Sequence, residues 1–292
     1  MWSVVNTIDC NNVSKRFTSF SLKNITFNLP AGYICGLIGE NGSGKTTLIN
    51  ILSGLYSYDG EVRISGRDYC NHEYDIKQDI GVVVHGDIFE AKESLISNAN
   101  YFGRFYKKYS KNLLENYLER FNLNDKKKYK ELSKGEKLKF ALAFALAHEP
   151  RLLLLDEPGA NFDIEFRKEF NSLLREFIID GTRSVILSTH IISDVETFAD
   201  YILFLKNGEQ ILFGDVETIR EKYRMVSAEK YKIKLLKDRI KYLEEGRISC
   251  NALVKHDKQG YDKELKVWEP GIDELMYYIG KGKDYGTINQ IL

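Results

Sequence analysis

Residues 39–46 read Gly39-Glu40-Asn41-Gly42-Ser43-Gly44-Lys45-Thr46, a full match to the pattern G-x-x-x-x-G-K-[ST]. An apolar run at residues 33–38 precedes this stretch and is typical of a buried strand, and residues 45–52 have the pattern of a helix. The strand-to-helix context matters because backbone N–H groups must close around phosphate oxygens while the helix N-terminus adds its positive dipole end. The stretch therefore predicts a nucleoside-triphosphate site.

Within this site, Lys45 would reach the β- and γ-phosphates, and Thr46 would ligate Mg²⁺. The residues expected to contact the nucleotide are Gly39, Asn41, Gly42, Ser43, Gly44, Lys45, Thr46 and Thr47.

Length and composition limit the classes of protein to consider. The chain has 292 residues, of which 43% are apolar, which suits one large domain with a small appendage. Lysine plus arginine equals aspartate plus glutamate, so the formal net charge is +0, and this argues against a protein whose main role is to coat nucleic acid. No run approaches the roughly 18 apolar residues of a membrane span. We therefore expect any membrane spans to belong to another chain.

The cysteines give no sign of a disulfide framework. Cys10, Cys35, Cys70 and Cys250 are far apart and form no C-x-x-C pair. This spacing indicates reduced thiols of a cytosolic protein rather than disulfides or a metal cluster. We expect no metal other than Mg²⁺.

Two further apolar strands end in polar residues. The strand at residues 152–155 is followed by Asp156 and Glu157, and the strand at residues 184–188 is followed by Thr189 and His190. In open α/β sheets, ligands bind at the carboxyl ends of parallel strands. The sequence therefore predicts an α/β fold in which these side chains lie near the phosphate loop.

The rest of the chain divides by pattern. Residues 1–30 indicate short antiparallel strands, and residues 98–130 a helical block. From about residue 222 the pattern predicts a strand at 231–235, a helix at 236–245, paired strands at 248–255 and 261–268, and a final helix at 272–279. We expect a main domain at 1–221, with a helical subdomain at about 87–150, and a small α+β extension at 222–292.

The motifs become specific when they are taken together. The phosphate loop, the turn Leu132-Ser133-Lys134-Gly135-Glu136, the Asp156-Glu157 strand end and the Thr189-His190 strand end follow one another at plausible spacings. As a set they resemble the nucleotide-binding subunit of an ATP-binding-cassette (ABC) transporter, over about residues 3–220. The resemblance implies a P-loop NTPase core of the ABC ATPase type, with an antiparallel β subdomain and a helical subdomain.

The resemblance also implies cofactors and catalytic roles. ATP and Mg²⁺ would be bound, the metal by Thr46 and, through water, by Asp156. Glu157 would be the general base, a role that typically contributes 10² to 10⁴ in rate. His190 would hydrogen-bond the γ-phosphate. Two alternatives remain open from the residues alone: a helix-capping role for Glu157 and a surface position for His190.

Two more features of the resemblance concern the edges of the site. Ser133 and Gly135 would complete the site of a second subunit in a head-to-tail dimer, either homodimer or heterodimer; an ordinary helix N-cap is the alternative. Phe17 would stack on adenine, since it matches the family's aromatic position better than Phe20; a core phenylalanine is the alternative.

The chain also departs from the family pattern. His85 follows the strand at 80–84 where the family usually has glutamine. Asp163, which the resemblance implies is part of the nucleotide site, is retained in a stretch, residues 158–163, whose neighbouring positions differ. We hypothesise that His85 contacts the site in its neutral form, so that coupled ATPase activity falls as the pH drops through about 6.5.

With Lys134 and Glu136, the turn at residues 132–136 resembles that of a subgroup of bacterial exporters of antimicrobial peptides or amphipathic peptide toxins. We therefore expect an ATPase subunit at the cytoplasmic face of the cell membrane that couples dimer closure to transport by a separate transmembrane permease, with no nucleic-acid partner. The alternatives are an exporter of lipids or other small hydrophobic compounds, a soluble ABC ATPase acting on ribosomes or DNA, and a cassette that binds ATP without turnover.

Overall fold

The computed structural model describes residues 6–84, 86–236, 239–246, 249–256, 260–262 and 264–281. The chain forms two compact units, residues 1–210 and 211–292. The boundary expected from the sequence lies after residue 221. No helix in the described part of the chain is long and apolar enough to cross a membrane.

A ten-stranded sheet organises the first unit, which includes the start of β10 at Glu209 and Gln210. The strand order is β5-β4-β1-β2-β10-β9-β3-β8-β7-β6. Strands β3, β6, β7, β8 and β9 pair in parallel, whereas β1, β2, β4 and β5 pair antiparallel. The predicted α/β fold with an antiparallel β subdomain is thus confirmed. The strands are β1 (Asn6–Arg16), β2 (Ser21–Pro30), β3 (Ile34–Ile38), β4 (Asp59–Ile64), β5 (Arg67–Asp68), β6 (Ile80–Val83), β7 (Leu152–Asp156), β8 (Ser184–Thr189), β9 (Tyr201–Lys206) and β10 (Glu209–Asp215).

The parallel strands β9, β3, β8, β7 and β6 are neighbours in the sheet, and β6 forms its edge. Every residue of β3, β7 and β8 is buried, which explains their continuous apolar sequences, since helices cover both faces of a parallel sheet. The helices of this unit are α1 (Lys45–Leu52), α2 (Tyr69–Gln78), α3 (Leu95–Gly103), α4 (Lys111–Arg120), α5 (Lys134–Leu146), α6 (Ile164–Ile178) and α7 (Ile192–Phe198), with short 3-10 turns at Tyr129–Glu131 and Pro158–Asn161.

Helices α3, α4 and α5 form the predicted helical block. Leu114 and Leu118 of α4 and Phe140 of α5 are almost fully buried in one core. Helix α5 is apolar on all sides in its second half because it packs both within this block and against β6. The block therefore places Ser133, the residue before α5, at the end of a rigidly packed helix.

The second unit is a four-stranded antiparallel sheet with helices, as the predicted α+β extension requires. Its strand order is β12-β13-β11-β14. The elements are α8 (Val216–Lys222), β11 (Tyr223–Ala228), α9 (Lys230–Ile233) followed by a 3-10 turn (Lys234–Leu236), β12 (Ile240–Glu245), β13 (Cys250–Lys255), β14 (Lys266–Trp268) and α10 (Ile272–Lys281).

Three predictions for this unit are wrong. The strands expected at 248–255 and 261–268 do not pair with each other, since β13 and β14 each pair with β11. The other two errors concern the type of element. Residues 231–235 were expected to form a strand but lie in α9 and the 3-10 turn, and the helix expected at 236–245 is replaced by strand β12. The strand forms because Ile240 pairs with Val254 and Leu243 pairs with Ala252. Pairing with a distant segment decides strand formation more than local pattern does.

Candidate active site

The phosphate loop joins the end of β3 to the start of α1, as its sequence predicted. Gly42 and Gly44 have φ angles of 80° and 109°, values that L side chains rarely adopt. A Cβ on Gly44 would also come within 2.8 Å of a methyl carbon of Leu22. The loop can therefore keep its course only with glycine at this position.

Lys45 is buried and held by the loop itself. Its Nζ donates to the carbonyl oxygens of Gly39 at 2.8 Å and Glu40 at 3.2 Å, and it lies 3.2 Å from Glu157 Oε1. The ammonium group is thus fixed at the start of α1, where the helix dipole also favours an anion.

Asp156 is the last residue of β7, and each of its carboxylate oxygens accepts a hydrogen bond from a hydroxyl group. Thr46 Oγ1 donates to Oδ2 at 2.8 Å, and Ser188 Oγ donates to Oδ1 at 2.6 Å. Hydroxyl and carboxylate oxygens are ligands that Mg²⁺ prefers, usually together with substrate phosphates and water. Thr46 and Asp156, which approach each other here, fit the predicted metal site.

Glu157 follows with a left-handed backbone, φ 50° and ψ 44°, which is uncommon for a residue other than glycine. Its N–H donates to both Oγ and the carbonyl oxygen of Ser188, at 3.0 and 3.1 Å. The side chain makes no capping hydrogen bond to the 3-10 turn Pro158–Asn161. Instead, its carboxylate contacts Lys45 Nζ through one oxygen and His190 Nδ1 through the other.

Ser188 belongs to the site although no sequence motif predicts it. It is fully buried and connects Asp156 with the backbone of Glu157. The signal lay in strand pairing: Ser188 is a hydroxyl residue in an apolar strand, and the parallel register places it directly opposite Asp156. That register is not visible in the sequence.

Several of the predicted nucleotide contacts share one cleft of about 290 Å³. Phe20 is the aromatic residue of its lining, whereas Phe17 is not part of that lining. The Phe17 ring instead packs edge-on against Tyr56, with 5.6 Å between centroids, and is 36% exposed. The cleft is lined by Phe20, Asn41, Gly42, Gly44, Lys45, Thr46, Thr47 and Glu157.

Ser133, Gly135 and Asp163 do not line that cleft. Ser133 caps α5, accepting from Glu136 N at 3.2 Å, while Glu136 Oε2 accepts from Ser133 N at 2.7 Å. Asp163 caps α6 through Phe166 N at 2.7 Å, and this hydrogen bond lowers the pKa of the Asp163 carboxyl. His85 lies outside the described residues.

Comparisons with known proteins agree with this geometry. A family model described as ABC transporter matches residues 22–160. NatA, an ABC transporter ATP-binding protein of Bacillus subtilis, is 30% identical over 237 residues, which are 76% of this chain and 93% of NatA.

Two other relatives have names that state a transported compound. The bacitracin transport ATP-binding protein BcrA of Bacillus licheniformis is 32% identical, over 70% of this chain and 68% of BcrA. The tungstate uptake system ATP-binding protein TupC of Peptoclostridium acidaminophilum is 34% identical, over 69% of this chain and 95% of TupC.

The fold is shared with a solved dimeric structure of the ATP-binding cassette MJ0796 in a post-hydrolysis state with ADP and Pi. The TM-score is 0.65 at 24% identity, covering 72% of this chain and 98% of that one. Since NatA is 30% identical and this chain spans nearly all of it, the chain belongs to the ABC transporter family, as an ATP-binding subunit that hydrolyses ATP to drive transport.

Proposed function

We propose that this subunit drives the export of an antimicrobial peptide or amphipathic peptide toxin through a separate transmembrane permease. The proposal rests on the fraction of each relative's length that matches this chain. The match covers 95% of TupC but 68% of BcrA, so BcrA, like this chain, has about 30% of its length outside the match. The name of BcrA states bacitracin transport, and together with the resemblance of Lys134 and Glu136 to peptide exporters this makes bacitracin the first cargo to test.

For the chemical step we assign roles to the residues around the cleft. Lys45 and the loop N–H groups would bind the triphosphate, and Thr46 and Asp156 would hold Mg²⁺, which supplies charge neutralisation at the phosphates. Glu157 would accept the proton of the attacking water. His190 contacts the Glu157 carboxylate, so it would both orient this base and reach the γ-phosphate.

We further propose that two chains form the complete site. Ser133 and Gly135 are not part of the cleft that contains Lys45, yet they begin a well-capped helix whose N-terminus suits phosphate. In a head-to-tail dimer, each such helix end would meet the phosphate loop of the other chain. Two chains of this sequence would then have two equivalent sites.

The permease would bind at a groove of about 850 Å³ beside α3. Ile88 and Tyr101, which line it, are 50% and 55% exposed, and Phe102 adds a further ring. Glu90 and Glu93 lie in the same lining as Arg104, whose guanidinium packs over the Tyr101 ring, and no ion pair with another described residue neutralises either carboxylate. The proposed occupant is a cytoplasmic segment of the permease with apolar and basic side chains. Cytoplasmic loops of membrane proteins carry an excess of lysine and arginine, which complements these carboxylates.

The direction and cargo can be tested in membrane vesicles that contain the chain together with the membrane protein encoded beside it. We expect ATP to drive accumulation of labelled bacitracin in inside-out vesicles, and the Glu157→Gln variant to abolish it. Tungstate uptake by right-side-out vesicles, or flipping of a labelled lipid without peptide movement, would contradict the peptide-export proposal.

A further inference from the structure

The first turn of α5 carries a charge that conflicts with phosphate binding. Glu136 is the third residue of this helix, and its carboxylate caps the Ser133 N–H at 2.7 Å. A carboxylate at this position stabilises a helix N-terminus. The same negative charge repels a triphosphate that approaches that N-terminus. A glutamine could supply the capping oxygen without the charge.

Lys127 offsets this charge directly. Its Nζ donates to Glu136 Oε1 at 2.9 Å, so the two carboxylate oxygens are divided between Lys127 and the Ser133 N–H. The hydrogen bond from Lys127, followed by that of Ser133, lowers the pKa of the Glu136 carboxyl. Glu136 therefore stays ionised and paired.

The backbone of Lys127 is fixed as well. Its carbonyl oxygen accepts from Leu95 N, the first residue of α3, at 3.1 Å, and its own N–H donates to Asn124 O at 3.1 Å. The neighbouring Lys126 is exposed, and no ion pair to it occurs among the described residues. The sequence run Lys126-Lys127-Lys128 thus contains one lysine with a defined partner beside one that faces solvent.

We propose that Lys127 is a positioning residue for ATP hydrolysis: it neutralises Glu136 and holds the first turn of α5 in the form that accepts the triphosphate bound to a second copy of the chain. The inference rests on the proposed composite site. It adds a residue outside the motifs and explains how the chain can carry glutamate in the Ser133–Glu136 turn.

The test compares the loss caused by Lys127→Met in two backgrounds, the natural chain and E136Q, by steady-state ATP hydrolysis. With Glu136 present, we expect kcat/KM for ATP to fall about three- to fivefold, near the upper end for an ion pair whose two side chains are about one-third exposed. In the E136Q background the same substitution should change kcat/KM less than about twofold, because no carboxylate charge remains to be offset. Equal losses in both backgrounds would overturn the proposal.

Two controls separate charge from general damage. Lys126→Met removes the same net charge next to Lys127, and we expect kcat/KM to stay unchanged. Lys127→Arg keeps the charge, and we expect it to keep activity within about twofold of the natural chain and its melting temperature unchanged. A loss from Lys127→Arg as large as that from Lys127→Met would also overturn the proposal. Raising the salt concentration should shrink the effect of Lys127→Met, since salt screens exposed charges.

The failure of the inference and of the composite site can be told apart. Ser133→Arg blocks the helix end itself. If Ser133→Arg leaves turnover intact, the composite site is wrong. If Ser133→Arg abolishes turnover while Lys127→Met acts equally in both backgrounds, only the role of Lys127 is wrong.

Discussion

Ser188 Oγ donates a 2.6 Å hydrogen bond to Asp156 Oδ1 and accepts one of 3.0 Å from Glu157 N. A single buried hydroxyl therefore fixes the orientation of the predicted metal-binding carboxylate and the backbone from which the predicted base projects. We infer that Ser188 determines how well these two residues are aligned for hydrolysis.

The Ser188→Ala variant should lower kcat by about tenfold, because losing a hydrogen bond to a charged group costs of the order of 1.4 kcal/mol. ATP affinity should change little, since Lys45 is untouched. The measurement is steady-state ATP hydrolysis alongside binding of a fluorescent ATP analogue. Ser184→Ala is the matched control: Ser184 is equally buried in β8 but bonds to Thr7 and Pro30. A turnover defect of the same size in Ser184→Ala would refute a specific role for Ser188.

Glu157→Gln should reduce turnover by about 10² to 10⁴ while ATP still binds, because the amide cannot accept the proton of water. Single-turnover hydrolysis and nucleotide binding measure the two effects separately. Glu165→Gln, an exposed position in the first turn of α6, should behave as the natural chain. Undiminished hydrolysis by Glu157→Gln would instead favour a cassette in which this glutamate is not the base.

We expect the free energy of unfolding to fall in acid as Asp79 becomes protonated. Burial alone raises the pKa of Asp79, but hydrogen bonds from Arg67 and Lys108 and their charges outweigh it, so the pKa is lowered. Because the pKa of Asp79 is lower in the folded than in the unfolded chain, the ionised carboxylate stabilises the fold. This stabilisation is complete above the pKa of the unfolded chain, near 3.9, and it is lost as the pH falls through the pKa of the folded chain. Asp79→Asn should therefore cost about 1–3 kcal/mol in the free energy of unfolding at pH 7.

The difference between the natural chain and Asp79→Asn should shrink below pH 4, as measured by urea unfolding across pH. Asp75→Asn is the control, because the Asp75–Lys107 pair is exposed and such pairs contribute little. A cost for Asp79→Asn that does not depend on pH would show that the Asp79 carboxylate charge is not the cause.

Tyr101→Glu should weaken binding of the permease by at least about tenfold, because it places a charge in the apolar part of the groove beside Glu90 and Glu93. ATP hydrolysis by the isolated subunit should be unchanged. Co-purification with the permease measures the effect. Ile179→Glu introduces the same charge at a residue that is 85% exposed at the end of α6, and it should bind normally. If both variants bind the permease equally well, the permease does not bind at this groove.

The sequence alone was sufficient for the elements whose chemistry is local. The glycines of residues 39–46 and the apolar strand before Asp156 have patterns that few folds other than a parallel sheet with a phosphate loop produce. The α/β class, the antiparallel strands and the helical block followed from such patterns, and all of them are present.

Features that depend on contacts between distant segments were not accessible in this way. The pairing of Ser188 with Asp156 depends on strand register, and strand β12 forms only because β13 lies beside it. Spacing favoured Phe17 as the adenine partner, yet Phe20 is the ring that lines the phosphate cleft. Which of these rings contacts adenine remains a prediction to be tested by substituting each in turn.

In the proposed dimer, Lys45 and Ser133 serve the same ATP only when they come from different chains, and a mixture of two inactive variants measures whether they do. Lys45→Ala disables the phosphate loop and Ser133→Arg disables the helix end, so each variant alone should be inactive. A mixed dimer contains one site with both defects and one intact site. We predict that an equimolar mixture regains up to about a quarter of the natural turnover, since half of randomly paired dimers are mixed. A mixture as inactive as its components would show that Lys45 and Ser133 of different chains do not share an ATP site.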